Sequence, residues 1–272
     1  AKGGGKSVLG CLWSYWMANQ IIEQCGVTLD QVSHPIPVGF LGRKKGVHFR
    51  DTTLNTWQRM VPSHLYKIKT AAREIVIRDR VCLHFGGLDD EETINKFNSA
   101  EYGFIFLDQA EEMNRDDVST LRATRRLTIN GVAVRPKGLF TANPAACFLK
   151  EEFIDSPTPD RRYIPALPGD NPFLPVGYVN ELKDSFRHRP ELIEAYLHGS
   201  WDAVEGASQV IKGEWLRWAA EHELPKREVV RSLLSCDPAR FGDDETVIQW
   251  IVDTDVKEQW IFGHKDTMHT SN

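Results

Sequence analysis

The sequence predicts an α/β fold with a mostly parallel sheet flanked by helices. Three observations predict it. A glycine-rich loop opens directly onto a helical pattern. Short, wholly apolar runs end abruptly in polar residues. Such runs then alternate with segments of helical periodicity along most of the chain.

Taken in order, Gly3-Gly4-Gly5-Lys6-Ser7 reads as the loop, and Val8, Leu9, Leu12, Trp13, Trp16, Met17 and Ile21 recur behind it at helical spacing. Residues 38–41 (VGFL) form a short buried strand. Residues 73–85 alternate in part and predict a hairpin or two strands turning at Asp79-Arg80. Residues 104–107 (FIFL) are a continuous apolar run ended by Asp108, as expected of a parallel strand covered on both faces. Leu139-Phe140-Thr141 is a further strand, stopped by Asn143-Pro144. Residues 155–175 are rich in proline and predict a lid or connector. Two short helices are expected around 176–186 and 190–197, and a boundary at 199–206. Strands at 233–236, 246–252 and 259–263 then begin a second domain.

Bulk properties set limits. The chain has 272 residues, enough for one large domain or two ordinary ones, with 41% hydrophobic and 26% charged residues, a soluble globular composition. No apolar run is long enough to span a bilayer, and Gly3-Gly4-Gly5-Lys6 leads into the most apolar segment without a signal-peptide cleavage pattern. Five cysteines without CxxC spacing argue against a disulfide framework or a zinc site, and the nine histidines show no metal spacing; a reducing, cytoplasmic setting follows. A net charge of -5 disfavours a protein that coats nucleic acid but permits a local grip on DNA. The eight tryptophans are expected in the core rather than as base-stacking platforms.

The chemistry is concentrated in three places. Gly5-Lys6-Ser7 supplies the end of the Walker pattern G-x-x-x-x-G-K-[ST], whose first glycine would fall one residue before Ala1. In such a loop Gly3, Gly4 and Gly5 let backbone N–H groups turn toward phosphate, Lys6 reaches the β/γ-phosphates of ATP, and the Ser7 hydroxyl binds Mg²⁺. Asp108, at a strand end, has the Walker B form and would hold Mg²⁺. Hydrolysis also needs a carboxylate beside the attacking water. The position after Asp108 is Gln109, so the candidates are Glu111 and Glu112, and Gln109 could itself position water. Thr141 and Asn143, at a third strand end, could sense the γ-phosphate; a plain strand-to-turn junction is the other reading.

In this order the motifs resemble the large terminase subunit of tailed bacteriophages. The likeness rests on residues 3–7, 104–112 (FIFLDQAEE), the arginine-rich stretch 121–127, residues 140–144, 161–165 with 170–173, 197–202 (LHGSWD) and 235–244 (SCDPARFGDD). The resemblance implies a P-loop NTPase domain of the additional-strand type over 1–202, including a lid or connector at 155–202. A hinge at 203–230 and the start of an RNase H-like nuclease domain at 231–272 would follow. It also implies a motor that translocates double-stranded DNA into a prohead and cuts concatemeric DNA. Its partners would be the portal protein, the small terminase subunit and further copies in a ring, in the host cell cytoplasm. Asp237 matches the first ligand of a nuclease site that takes Mg²⁺ or Mn²⁺, whereas Asp243 and Asp244 read as a turn. A basic finger acting on a neighbouring subunit's nucleotide would come from Lys96, Arg122 or Arg125. Two departures stand out: the strand before the loop is not in the sequence, and the other nuclease carboxylates would lie beyond Asn272. This stretch alone is therefore not expected to cut DNA. The competing readings are another P-loop enzyme such as a helicase, and a nucleotide-binding scaffold in which Gln109 marks lost hydrolysis.

Overall fold

Gly5 ends the loop in the left-handed region, with φ 71°, and the first helix starts at the next residue. In the computed structural model, residues 2–31, 33–89, 97, 99–205, 218, 221–222, 232–237, 246–252 and 255–262 are described. They fall into two compact units, 1–208 and 209–272.

In the first unit, α1 (Lys6–Gln24) is followed by β1 (Ile36–Arg43). A helical turn (Gly46–His48) and a π-helical stretch (Phe49–Leu54) run into α2 (Asn55–Met60). β2 (Tyr66–Lys69), β3 (Glu74–Ile77), β4 (Val81–Gly87) and β5 (Phe104–Leu107) come next, then α3 (Arg115–Ala123). A small hairpin of β6 (Thr128–Ile129) and β7 (Val132–Ala133) leads to β8 (Lys137–Phe140), and α4 (Tyr178–Ser185) and α5 (Pro190–His198) follow. The six-stranded sheet has the order β2-β3-β4-β1-β5-β8. β4, β1, β5 and β8 run parallel, and β2 and β3 add an antiparallel edge.

The continuous apolar run of β5 is explained by two-sided burial. Phe104 and Phe106 enter one core with Ile21, Ile22, Leu41 and Phe85, while Ile105 and Leu107 enter a second core with Phe40, Tyr102 and Leu121. Side chains two apart share a face, so a strand covered on both sides has no position for a polar residue. Each such side chain contributes about 1.5–3 kcal/mol by leaving water.

The elements differ from the sequence expectation in instructive ways. The β3–β4 turn centres on Arg78 and Asp79, with φ 52° and 54°, one residue earlier than expected. β8 starts at Lys137 and ends at Phe140. Thr141 lies outside it, although its N–H still bonds to Leu107 O at 2.9 Å. Behind Asp108 the chain forms a 3₁₀ turn (Ala110–Glu112), and α3 starts after Asn114, whose side chain caps it by accepting from Asp117 N. The tryptophan expectation holds for Trp57 and Trp201, which are buried. It fails for Trp16, Trp218, Trp250 and Trp260, which are exposed because period alone does not say which face of an element is covered.

In the second unit, β9 (Ser232–Asp237), β10 (Thr246–Val252) and β11 (Asp255–Phe262) form an antiparallel sheet in the order β11-β10-β9. Asp237 is the last residue of β9, opposite Val247. Lys96, Asp243 and Asp244 lie outside the described residues. No helix among the described residues is long and apolar enough to cross a membrane.

Candidate nucleotide site

The carboxyl ends of parallel strands are where the sheet ladder stops and loops can converge on one point. Here the residues that follow β5 and β8 meet the glycine loop, Asp108 at Ser7 and Asn143 at Lys6. The loop is tightly held: a Cβ on Gly4 would lie 2.4 Å from Ala166 O, and Gly3 O accepts from Asn171 Nδ2 at 2.7 Å. The proline-rich connector therefore packs against the loop it follows by more than a hundred positions in sequence.

Asp108 is the centre of the arrangement. It is 3% exposed, and three hydroxyls donate to it: Ser7 Oγ at 2.9 Å and Thr141 Oγ1 at 2.6 Å to Oδ1, and Thr53 Oγ1 at 2.7 Å to Oδ2.

A second chain of contacts runs beside it. Lys6 Nζ donates to Asn143 Oδ1 at 3.1 Å, and Asn143 Nδ2 donates to Glu111 Oε1 at 2.9 Å. The other oxygen of Glu111, Oε2, is buried without a hydrogen-bond partner. Burial is the main cause that raises the Glu111 carboxyl above the ordinary carboxylate range, opposed by hydrogen bonds and by Lys6. Burial also lowers the Lys6 ammonium below its ordinary value, opposed by the charges of Glu111 and Asp108.

Of the residues singled out in the sequence, Gly3, Gly4, Gly5, Lys6, Ser7, Asp108, Glu111, Thr141 and Asn143 are brought to this one place. Glu112 is not. It points to Arg43 at 3.4 Å, and its side chain is 39% exposed. Gln109 takes φ 53°, and its N–H approaches Thr141 Oγ1 at 3.4 Å, so it turns the chain and carries Glu111 inward. Asp237 belongs to the second unit.

The arrangement of strands and loop is shared with solved structures. The chain matches, over its whole length, a large terminase from a thermophilic bacteriophage with a TM-score of 0.56 and 16% identity. The fold resembles that of this phage large terminase. The same bacteriophage protein in complex with ADP matches at 0.56 and 15% identity, and in complex with ATP-gamma-S at 0.53 and 14%. The chain spans 63%, 63% and 62% of the length of those three structures. Identity at this level speaks to the fold alone. No protein-family model matches the chain, and no curated protein sequence does.

Within this fold, Thr53 is the residue that sequence reasoning missed, while Arg43 belongs to the basic residues 43–45 that the sequence offers as candidate phosphate or DNA contacts. Thr53 is buried on the π-helical stretch after β1, and no motif surrounds it; the only signal was a run of short polar residues (RDTT) soon after a strand end. A π-helical turn is uncommon and often marks a functional place. Arg43 is buried at the end of β1, donates to Thr52 Oγ1 at 2.7 Å, and has its Nε without a partner. Next to it, Lys44 is paired with Asp117 at 2.8 Å. Arg122 is paired with Glu152 at 2.7 Å and lies over the Phe140 ring. Arg125 is half-buried with its Nε on Arg122 O.

Proposed function

We propose that the 1–208 unit hydrolyses ATP with Mg²⁺, and that it does so as the motor part of a DNA-packaging terminase. The observation that carries this reading is the Asp108 centre, where a loop hydroxyl, two further hydroxyls and a buried carboxylate meet below a lysine and a second buried carboxylate. The donor set suits the ion. Ser7 and Asp108 offer hard oxygen ligands of the kind Mg²⁺ prefers, and they already approach to 2.9 Å. Bound there, Mg²⁺ would neutralise charge on the β/γ-phosphates.

The chain's own residues do the rest. The N–H groups of Gly3 to Ser7 at the start of α1 would bind the phosphates, and Lys6 would reach the β/γ-phosphates. Glu111, rather than Glu112, orients the attacking water and takes its proton. It has an oxygen with no partner and a proton affinity raised by burial, both of which favour a base. Asn143 touches both Lys6 and Glu111, so a change in what Lys6 binds reaches the base through one side chain. Thr141 and Thr53 hold Asp108 in orientation. The uncommitted oxygen of Glu111 favours this enzyme over a non-hydrolysing scaffold.

By the same reading, double-stranded DNA is the substrate moved. The portal protein, the small terminase subunit and further copies of the chain in a ring are the partners. The domain limits 1–202, 203–230 and 231–272 belong to this reading. The antiparallel strands β9 to β11 would open an RNase H-like nuclease in which Asp237, at a strand end, takes Mg²⁺ or Mn²⁺.

The test is ATP turnover by the full-length polypeptide with Mg²⁺, with and without DNA. Lys6→Ala should lower turnover by about 100-fold or more, the scale of removing one electrostatic contact to the transition state. ATP binding without turnover under every condition would instead favour the scaffold. For the nuclease half, Mn²⁺-dependent plasmid cleavage should be lost in Asp237→Ala; cleavage that survives removes Asp237 from the site.

A further inference from the structure

Away from the nucleotide site, on the antiparallel edge of the sheet, one group of three metal-capable side chains among the described residues closes to within 4.8 Å: Glu74, Cys82 and His84. From the register of this hairpin and the chemistry of its donors, we infer that Glu74, Cys82 and His84 form a binding site for a single zinc-class divalent ion.

The hairpin register builds the group. Cys82 and His84 are two apart on β4 and so share a face, and Glu74 on β3 sits directly opposite His84. No run of the sequence has metal-ligand spacing because one of the three donors arrives across a turn.

The ring of His84 is fixed in orientation. Its Nδ1 lies 2.7 Å from the Tyr102 hydroxyl, and Tyr102 is fully buried. The ring also packs against Phe97 and Tyr102 at 5.5 and 5.7 Å between centroids. That directs Nε2 to Glu74 Oε1, 3.9 Å away. A partner on the far nitrogen that sets tautomer and orientation is the usual support of a metal-bound imidazole. Glu74 divides its two oxygens: Oε2 faces Lys69 at 3.6 Å, leaving Oε1 on the side of His84. Cys82 is buried, and its Sγ lies 3.6 Å from Pro35 O.

The donor set selects the ion. A thiolate, an imidazole and one carboxylate oxygen match zinc in a tetrahedral site, with water as the fourth ligand. Bonds of about 2.0–2.3 Å at tetrahedral angles put ligand atoms roughly 3.3–3.7 Å apart, so the present spacing needs only a small contraction. Binding replaces the S–H bond of Cys82 by a metal–sulfur bond and releases that proton to solvent. The ion would clamp β3, the inner strand of the edge hairpin, to β4 and thus to the parallel sheet.

The experiment uses the intact chain, stripped with a chelator and titrated with Co²⁺ and Zn²⁺. One equivalent of Co²⁺ should give a thiolate-to-cobalt charge-transfer band, one equivalent of zinc should remain after desalting, and zinc should raise the melting midpoint. Cys82→Ser and His84→Gln should each abolish the band, and Glu74→Gln should weaken binding by about tenfold or more. Circular dichroism of each variant in chelator separates a lost ligand from a lost fold, and His84→Gln stands as the second variant should Cys82→Ser not fold. Absence of the band at stoichiometric Co²⁺ in the folded protein overturns the proposal. So does zinc retained unchanged by either folded variant, which places the ion elsewhere.

Discussion

At the carboxyl ends of β1, β5 and β8, polar side chains are gathered by loops leaving parallel strands. On the shared face of β3 and β4, they are gathered by the register of a hairpin. The first gathering is dense in hydrogen bonds, with Asp108 accepting three hydroxyls and Asn143 bridging Lys6 to Glu111. The second has few contacts among its own members, with Glu74 and His84 3.9 Å apart, and is held from outside by Tyr102 on His84, Lys69 on Glu74 and Pro35 O on Cys82. The difference teaches where each cluster's stability resides. The Asp108 centre is held by its own network, so removing one member disturbs the rest. The hairpin cluster is held by the sheet around it and shares no described contact with the nucleotide site, so the two are expected to act independently.

Among the supporting hydroxyls, the comparison is tested most sharply by Thr53→Val. It removes one hydroxyl from the buried Asp108 carboxylate, a contact worth about 1.5–3 kcal/mol. Turnover, or the Mg²⁺ concentration needed for half-maximal turnover, should worsen by roughly 10–100-fold, while Thr53→Ser stays close to the native enzyme. Equal loss in the valine and serine variants would mean that Thr53 serves packing alone. His84→Gln, by contrast, should leave ATP turnover unchanged, and a loss there would show that the two clusters are coupled after all.

The smallest effect separates stability from function within the first cluster. Burial raises the Glu111 carboxyl in the folded state, so the native protein holds its proton more tightly than the unfolded chain and stability falls as pH rises through that raised value. Glu111→Gln removes the buried charge. Its melting midpoint should exceed the native one by a few degrees at neutral pH, and the gain should vanish once the pH drops below the ordinary carboxylate range. A variant less stable than the native protein at neutral pH would mean that the carboxylate is structurally satisfied.

The same contrast explains what could be read from the sequence. The loop at 3–7, the apolar run before Asp108 and the strand before Thr141 are each contiguous, so local pattern was enough to place them, and the α/β architecture followed from their alternation. Choosing between Glu111 and Glu112 was not possible, because neighbouring residues differ only in the direction the chain turns, and that is set by the left-handed Gln109. Thr53 was invisible because it reaches Asp108 from a π-helical stretch 55 positions away. The Glu74, Cys82 and His84 group was hidden for a related reason, since cysteine and histidine spacing along the chain says nothing about pairing across a turn. Exposed tryptophans were misread as core because periodicity names a face but not what covers it.

The central claim is that Glu111 is the base of an ATP-hydrolysing site in which Glu112 only pairs with Arg43. Single-turnover hydrolysis of Mg²⁺·ATP by Glu111→Gln and Glu112→Gln, side by side in the full-length protein, tests it most directly. The account predicts that Glu111→Gln still binds ATP but hydrolyses it slower by about 10²–10⁴-fold, the contribution of a general base, while Glu112→Gln stays near the native rate. The reverse outcome, with Glu112→Gln inactive and Glu111→Gln active, would contradict it.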